Sequence, residues 1–311
     1  AVTGAYPIDI NADGHTDLFV MRASANVVLQ GHGDCTFSDA TADWGIPPDD
    51  AWTTAFTAWW DGDARPTLAL GNYVDRTDPD GPFEACDDNA ILWPTESGYT
   101  AQALSPGFCP LSILAANDAR SVPTLRLSND RHYYLNGGTE QMWAITDRRF
   151  LGAEDGWETV SLWGMGIASR DLTGDGRDEV MLTSMGDQLL QIAGANGHYT
   201  AAPYDIGSYA QRPHVGDDGR PSTGWHAEFG DIDNDGLADL FIAKGNVDQM
   251  PGMATRDPNN LLMQTTDGTL SEFSATAGIA TKDRSSGAAL AAVRHGGPPA
   301  RDLALIASRA A

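Results

Sequence analysis

The stretch DIDNDGLADLFIAKGN (residues 231–246) places four aspartates within nine residues and then runs directly into an apolar segment. Carboxylates this close together repel one another, and a simple connecting loop does not need them. Oxygen ligands at positions 1, 3, 5 and 9, with a glycine at position 6 that permits a sharp turn, suit a hard cation such as Ca²⁺. Mg²⁺ demands a tighter octahedron and is the poorer match. The stretch therefore predicts a Ca²⁺ loop that leads into a β-strand.

The same pattern, D-x-[NTD]-x-D-G-x-x-[DE], occurs three times, at residues 9–17, 171–179 and 231–239. We call these the first, second and third acidic loops. An EF-hand is excluded, because it requires a glutamate at position 12, where Val20, Leu182 and Ile242 stand. The alternative is that the acids only cap turns. Three loops in register favour three Ca²⁺ sites.

The loops belong to a longer repeat. NVVLQGHGDCTFSDATADWGI (residues 26–46) matches NLLMQTTDGTLSEFSATAGI (residues 260–279), and degenerate copies without the acids fill the gaps. Six strand-rich units begin near residues 1, 52, 111, 160, 222 and 286, and no stretch of about 10 to 12 residues keeps a helical period. Such repeats are typical of a β-propeller. We predict an all-β fold and a single domain over residues 1–311.

The charge balance restricts the partners. The chain has 19 Lys+Arg against 43 Asp+Glu, a net charge of −24, which disfavours nucleic acid and anionic lipid. No apolar run approaches the roughly 18 residues that cross a bilayer, so we predict no membrane insertion. The chain begins AVTGAYP without an initiator Met, and we expect a mature product or a fragment. The remaining partner classes are a protein or a glycan.

Four stretches carry a family resemblance: GNYVDR (residues 71–76), SNDRHYY (128–134), WGMGIASRDLTGDG (163–176) and PSTGWHAEFGDIDNDGLADLFIAKGNV (221–247). They resemble bacterial members of the cartilage acidic protein family, whose FG-GAP or VCBS-type repeats also occur in integrin α-subunit heads and often precede an ASPIC/UnbV segment. The resemblance covers nearly the whole chain. It implies a Ca²⁺-binding propeller of seven blades that is secreted, periplasmic or at the cell surface. Only six repeats are visible here, and no ASPIC/UnbV segment follows.

The resemblance also implies a ligand set for each acidic loop, with side chains at positions 1, 3, 5 and 9 and a backbone carbonyl at position 7. The implied ligands are Asp9, Asn11, Asp13, His15 and Asp17; Asp171, Thr173, Asp175, Arg177 and Glu179; and Asp231, Asp233, Asp235, Leu237 and Asp239. Only the third loop has four carboxylates, so we expect Asp235→Asn to weaken Ca²⁺ binding more than Asp13→Asn. The degenerate loops around Asp61 and Asp118 should bind no ion.

The three cysteines contain no CxxC pair, which disfavours a zinc or thioredoxin-type site. Cys86 and Cys109 flank the predicted outer strand pair of the second repeat. A disulfide between them would close a loop of about 24 residues and contribute about 3 kcal/mol on the chain-entropy model. Cys35 is left over, and we interpret it as a free, small, half-buried hydrophobe.

A second candidate site lies on predicted inner strands. His226 stands two residues before Glu228, and Asp130, Arg131 and His132 cluster in SNDRHYY. Around a propeller's central channel such groups could bind a sugar or perform acid–base chemistry. The alternative is a buried network that joins neighbouring blades.

We favour the first of three functions and keep the other two as alternatives. The first is a non-enzymatic interaction module that presents a face to a protein or a glycan. The second is a sugar-active lyase or dehydratase at the central channel, although no GxSxG, HExxH or phosphate loop occurs. The third is a purely structural module of a longer surface protein. Fold alone does not decide among them.

Overall fold

The computed structural model describes residues 1–62, 64–79, 85–130, 138–186, 188–209, 223–246, 253–293 and 302–309. Beyond residue 290 only the backbone is described. Within these ranges the chain forms five four-stranded sheets and one two-stranded sheet, all antiparallel, with two short 3₁₀ helices at Ala153–Asp155 and Tyr204–Ile206. In every four-stranded sheet each strand bonds to the next in sequence. This is the blade topology of a β-propeller, and the all-β prediction is confirmed.

The first three sheets take up the chain to residue 150. The first contains β1 (Val2–Ile8), β2 (Asp17–Arg22), β3 (Val27–Gly31) and β4 (Phe37–Asp39). The second contains β5 (Thr53–Trp59), β6 (Thr67–Asn72), β7 (Asn89–Thr95) and β8 (Gly98–Leu104). The third contains β9 (Pro110–Asn117), β10 (Pro123–Asn129), β11 (Gln141–Ala144) and β12 (Arg149–Phe150).

The other three sheets follow from residue 164. The fourth contains β13 (Gly164–Arg170), β14 (Glu179–Ser184), β15 (Leu189–Ala193) and β16 (Tyr199–Ala201). The fifth contains β17 (Gly224–Gly230), β18 (Asp239–Lys244), β19 (Asn260–Gln264) and β20 (Leu270–Glu272), and the sixth contains β21 (Ser285–Val293) and β22 (Asp302–Arg309). The six sheets thus begin at residues 2, 53, 110, 164, 224 and 285.

The second strands explain why the sheets stack. In β6, β14 and β18 every residue is buried, so these strands are covered on both faces, and their central residues are apolar (LAL, VML and LFIA). Phe19 of the first sheet, for example, stacks on Phe56 of the second with ring centroids 4.6 Å apart. The fourth and fifth sheets share a second core that includes Met181 and Ile242. The second and third acidic loops therefore lead into fully buried strands, and the first leads into β2, in which every second residue is buried.

By its contacts the chain divides into two compact units. The first comprises Ala1–Ala115, Leu125–Phe150 and Thr159–Trp163, and the second comprises Ala116–Thr124, Leu151–Glu158 and Gly164–Ala311. The first acidic loop lies in the first unit, and the other two lie in the second. The single domain over residues 1–311 and the seven blades stay predictions.

The cysteine predictions have two outcomes. Cys86 and Cys109 form a disulfide that flanks β7 and β8, and Cys109 is buried beside Tyr73 and Val74, so the predicted bridge is confirmed. Cys35 is free, as predicted, but the half-buried interpretation is wrong. It lies in the solvent-facing turn between β3 and β4 with a φ of 66°, and residues 32 to 39 around it are exposed.

Within the described ranges, no helix has the length and apolar character needed to cross a membrane.

Candidate metal centre

Each acidic loop joins the first strand of its sheet to the second. The register is the same in all three sheets, because position 9 pairs with the residue just before position 1: Ile8 with Asp17, Arg170 with Glu179, and Gly230 with Asp239. The glycines at position 6 have φ values of 83°, 82° and 92°, a backbone conformation that strongly favours glycine. The three loops are therefore one repeated structure.

The acid at position 9 is fully buried in all three loops. In the third loop, Asp239 Oδ2 accepts the Ile232 N–H at 2.8 Å, and Asp239 Oδ1 accepts the Gln264 N–H at 3.0 Å. Asp17 and Glu179 make the equivalent pair of bonds, one to position 2 of the loop and one to the third strand. One carboxylate thus braces the loop against two strands of its sheet.

Burial makes the carboxylates of Asp239 and Glu179 costly to ionise. Desolvation raises the pKa of Asp239, and the neighbouring charges of Asp233 and Asp235 raise it further. Desolvation also raises the pKa of Glu179, against the opposing effect of its backbone hydrogen bonds. A cation beside Asp239 would favour its ionised form.

The acid at position 1 distinguishes the third loop from the others. Asp231 Oδ2 accepts the Gly236 N–H at 3.0 Å, whereas Asp231 Oδ1 is buried and has no hydrogen-bond partner in the protein. In Asp9 and Asp171 both carboxylate oxygens accept backbone N–H groups. A buried anionic oxygen without a donor is unfavourable unless a cation or another donor supplies the missing contact.

The third loop also brings its acids together. Asp231, Asp233 and Asp239 each offer a carboxylate oxygen, and these oxygens all lie within 4.8 Å of one another. Since Ca²⁺–oxygen distances are about 2.3–2.6 Å, two oxygens bound to one ion are at most about 5 Å apart. The donor set is hard oxygen throughout, which fits Ca²⁺. Across the described ranges no other three acidic, histidine or cysteine side chains are grouped in this way.

Asp235 is not part of that group. Its Oδ1 accepts the Leu237 N–H at 2.8 Å, which closes a local turn. Asp13 and Asp175 at the same position make the same bond, to the N–H groups of His15 and Arg177. The acid at position 5 thus shapes the loop in all three cases. For the third loop, the geometry favours Asp233 over Asp235 as a ligand.

Position 7 determines whether a loop contains its own cation. In the second loop, Arg177 Nη2 lies 2.8 Å from Asp175 Oδ2, so the Arg177 side chain takes part in the loop as well as its backbone. In the first loop, Asn11 Nδ2 donates to Asp13 Oδ2 at 2.8 Å, and this bond is the main cause of a lowered Asp13 pKa. Leu237 carries no charge. The third loop is therefore the most electronegative of the three.

In the two degenerate loops, protein groups contact the aspartates Asp118 and Asp61. Asp118 is buried, and Arg120 Nη2 lies 2.6 Å from its Oδ2, while the N–H groups of Arg120 and Val122 bond to its Oδ1. Asp61 accepts the Trp59 Nε1–H at 2.9 Å. Each of these loops satisfies its aspartate from within the protein. That both bind no ion stays a prediction.

Gln264, at the end of β19, links the second and third loops, and the sequence analysis missed it. Gln264 Oε1 accepts the Ala238 N–H at 3.0 Å, and Gln264 Nε2 donates to the Leu172 carbonyl at 2.9 Å. The repeat gave no signal for it, because the residues in register with Gln264 in the first and fourth sheets are Gly31 and Ala193.

The predicted channel residues are only partly brought together. His226 Nε2 lies 3.1 Å from Glu228 Oε2 on β17, and both side chains are partly exposed. In the other unit, Asp130 accepts the Tyr73 hydroxyl at 2.5 Å. Arg131 and His132 lie outside the described residues. A joint site of these five residues stays a prediction.

Comparison with known proteins finds solved structures with a similar fold but no matching family. No family model matches the chain, and no curated protein matches it. Solved structures similar to it include a GH43 protein, BlXynB, of Bacillus licheniformis (13% identity, covering 87% of this chain and 55% of that one, TM-score 0.41). A second is a lectin of Agrocybe aegerita described as recognising non-reducing terminal N-acetylglucosamine (12% identity, covering 86% of this chain and 79% of that one, TM-score 0.38). A third is the biofilm matrix protein Bap1 of V. cholerae (13% identity, covering 86% of this chain and 38% of that one, TM-score 0.43).

These likenesses are distant. The chain spans about half the length of the GH43 protein. At such identities and TM-scores they carry no argument about what this protein binds.

Proposed function

We propose that this protein is a Ca²⁺-binding, propeller-type interaction module of the FG-GAP/VCBS kind, with its strongest metal site in the third acidic loop. The observation that carries the proposal is the buried, unpartnered Oδ1 of Asp231 within a group of three carboxylates. Asp231, Asp233 and Asp239 would hold the ion. The ion would supply the positive charge that this group lacks.

The role of the metal in this proposal is structural. Asp239 already bonds to the loop through Ile232 and to β19 through Gln264. An ion that keeps Asp239 ionised would strengthen both bonds, because charged acceptors make stronger hydrogen bonds than neutral ones. The loop would then be fixed against its sheet and would present a rigid surface to a partner.

Export from the cytosol is part of the proposal. The Cys86–Cys109 disulfide supports it, since disulfides form and persist mainly in oxidising compartments. The acidic surface, with a net charge of −24, favours a protein partner that carries basic groups.

A sugar-active lyase or dehydratase is the second candidate, favoured by the contact between His226 and Glu228. A carboxylate beside an imidazole is a pair that can exchange protons with a substrate. Under that alternative, His226→Gln should abolish turnover of a polysaccharide without changing the melting temperature. The interaction module predicts no turnover in either protein.

The direct test is thermal unfolding of the whole chain in millimolar CaCl₂ and in EDTA. A site that binds only the folded state adds about 2.7 kcal/mol when Ca²⁺ is a hundredfold above Kd, so the melting temperature should rise by several degrees. Asp231→Asn should lose most of that rise. The control Asp34→Asn, in the exposed turn between β3 and β4, should keep it. Equal melting temperatures of the unmodified protein in calcium and in EDTA would refute the proposal.

A further inference from the structure

A cavity of about 420 Å³ opens in the second unit beside the second and third acidic loops. This volume lies within the range of about 300–1,000 Å³ that is typical of ligand pockets. Its apolar lining consists of Leu172, Leu190, Ile192, Ile206, Leu237 and Leu270. Several of these side chains also pack on the core shared by the fourth and fifth sheets. The floor of the cavity is therefore fixed by the fold.

One edge of the cavity is polar. The turn between β19 and β20 contributes Thr265, Thr266 and Asp267. Asp267 Oδ1 accepts the Thr265 and Thr269 hydroxyls at 2.5 and 2.8 Å, and these bonds lower the pKa of Asp267. The carboxylate at this edge is thus held in position and remains ionised at neutral pH.

A smaller cavity of about 230 Å³ adjoins the first and shares Ile206, Asp267 and Gly268 with it. Asp205 also lines this smaller cavity, and its side chain is exposed. No Lys, Arg or His lines either cavity among the residues that the structure describes. An open, partly apolar pocket therefore adjoins a shallower one that two carboxylates line, with no counter-charge from the described residues.

This arrangement selects among ligand classes. A nucleotide or another anion would be repelled by Asp205 and Asp267. A sugar ring would find Leu and Ile side chains where it needs an aromatic face to stack on. A second copy of this chain, at −24, is poorly matched to an acidic pocket. An apolar group next to a cation meets both halves of the site.

We propose that the two cavities bind one apolar side chain and an adjacent lysine or arginine from a peptide segment of a protein partner. The apolar side chain fills the larger cavity as a buried anchor, and the cation lies between Asp205 and Asp267. The choice of a protein partner rests on the proposed interaction function. The site itself is separate from the group of three aspartates in the third loop.

The experiment is a ligand-observed NMR titration of the full chain in 2 mM CaCl₂ with the peptide acetyl-Gly-Leu-Lys-Gly-amide. Saturation transfer should be strongest on the leucine methyl groups. Peptides with Ser in place of Leu, or Glu in place of Lys, should bind at least fivefold more weakly. Asp205→Asn should weaken binding of the Leu-Lys peptide at least threefold. Asp34→Asn, which lies in a similar Asp-Thr turn in the other unit, should leave it unchanged.

Absence of binding to the unmodified protein overturns the proposal, as does equal affinity for the three peptides. Saturation transfer to cellobiose, but not to the peptide, also overturns the proposal and favours a glycan site. Titrating Ca²⁺ into the same samples keeps the two proposals apart. Bound Ca²⁺ without peptide binding refutes only the cavity proposal, and peptide binding without bound Ca²⁺ refutes only the metal site.

Discussion

At the scale of the residue, position 7 of the acidic loop sets the local charge. Arg177 places a guanidinium on Asp175 inside the second loop, whereas Leu237 leaves the third loop without an internal cation. Each unit of positive charge near a metal site opposes the binding of a divalent cation. The affinities of the two loops should therefore depend on this one position as much as on the number of acids.

Exchanging these residues tests that dependence. Leu237→Arg should weaken the tightest Ca²⁺ step by about tenfold or more, which corresponds to about 1.4 kcal/mol, and Arg177→Leu should strengthen binding in the second loop. Calorimetric titration of the metal-free variants measures both. The melting temperature of Leu237→Arg in EDTA is the control for folding and should not fall. If Leu237→Arg binds calcium as the unmodified protein does, position 7 does not set affinity.

A second residue-scale feature is Glu140, which accepts a backbone N–H where three other sheets use an asparagine side chain. The N–H at the end of β2, β6 and β18 bonds to Asn26, Asn89 and Asn259, whereas Asn129 of β10 bonds to Glu140 Oε1 at 2.9 Å. Glu140 is buried, and desolvation raises its pKa to about 8. An unfolded glutamate has a pKa of about 4.3.

This difference predicts how stability changes with pH. Between about pH 4.3 and pH 8 the folded state retains a proton on Glu140 that the unfolded state has lost, so the contribution of Glu140 is fully present below pH 4 and is lost as the pH rises through 8. Glu140→Gln should remove this dependence. Urea unfolding at fixed calcium measures the free energy of unfolding. Between pH 5 and pH 8.5, the value for the variant should rise by more than about 1.4 kcal/mol relative to that of the unmodified protein. Parallel pH profiles would contradict the assignment.

At the scale of the element, the third strand of the fifth sheet connects two loops. Its last residue, Gln264, bonds by its backbone N–H to Asp239 and by its side chain to Ala238 and to the Leu172 carbonyl. Metal bound in the third loop would thereby also hold the second loop in place. In the first sheet, Gln30 contacts only its own loop, with Nε2 3.4 Å from Asp13 Oδ2.

Gln264→Ala should uncouple the two loops. Losing a buried side-chain bond of this kind costs about 1–3 kcal/mol. In hydrogen exchange with bound calcium, the amides of Ala238 and of residues 172–176 should exchange faster in the variant. Gln30→Ala is the matched control and should leave residues 172–176 unchanged. Unaltered protection of those residues in Gln264→Ala would show that the bridge does not couple the loops.

The elements also show how far the sequence alone reaches. The strands and their antiparallel order follow from apolar runs punctuated by Gly-rich turns, because each run must be buried against a neighbouring sheet. The ligand roles could not be read from the acidic pattern alone. Asp233 and Asp235 each accept the N–H group two residues further on. Only the distances between carboxylate oxygens place Asp233 with Asp231 and Asp239 and leave Asp235 outside that group. The exposure of Cys35 likewise depended on the direction of a turn.

At the scale of the whole molecule, net charge and the disulfide both affect folding stability. The 43 acidic residues outnumber the 19 basic ones, so the excess carboxylates repel one another in the folded state. A divalent cation bound at the third loop would offset part of that repulsion, and the disulfide closes the segment around β7 and β8. We expect folding stability to depend on calcium most strongly at low ionic strength, where these charges are least screened.

The most direct test of the account is calorimetric titration of Ca²⁺ into the metal-free protein and into Asp231→Asn. The account predicts that the unmodified protein binds calcium and that its tightest step weakens by at least about tenfold, or about 1.4 kcal/mol, in Asp231→Asn. The control Asp34→Asn should match the unmodified protein. A titration of the unmodified protein without heat of binding, or a tightest step that survives in Asp231→Asn, would contradict the assignment of the third acidic loop as the calcium site.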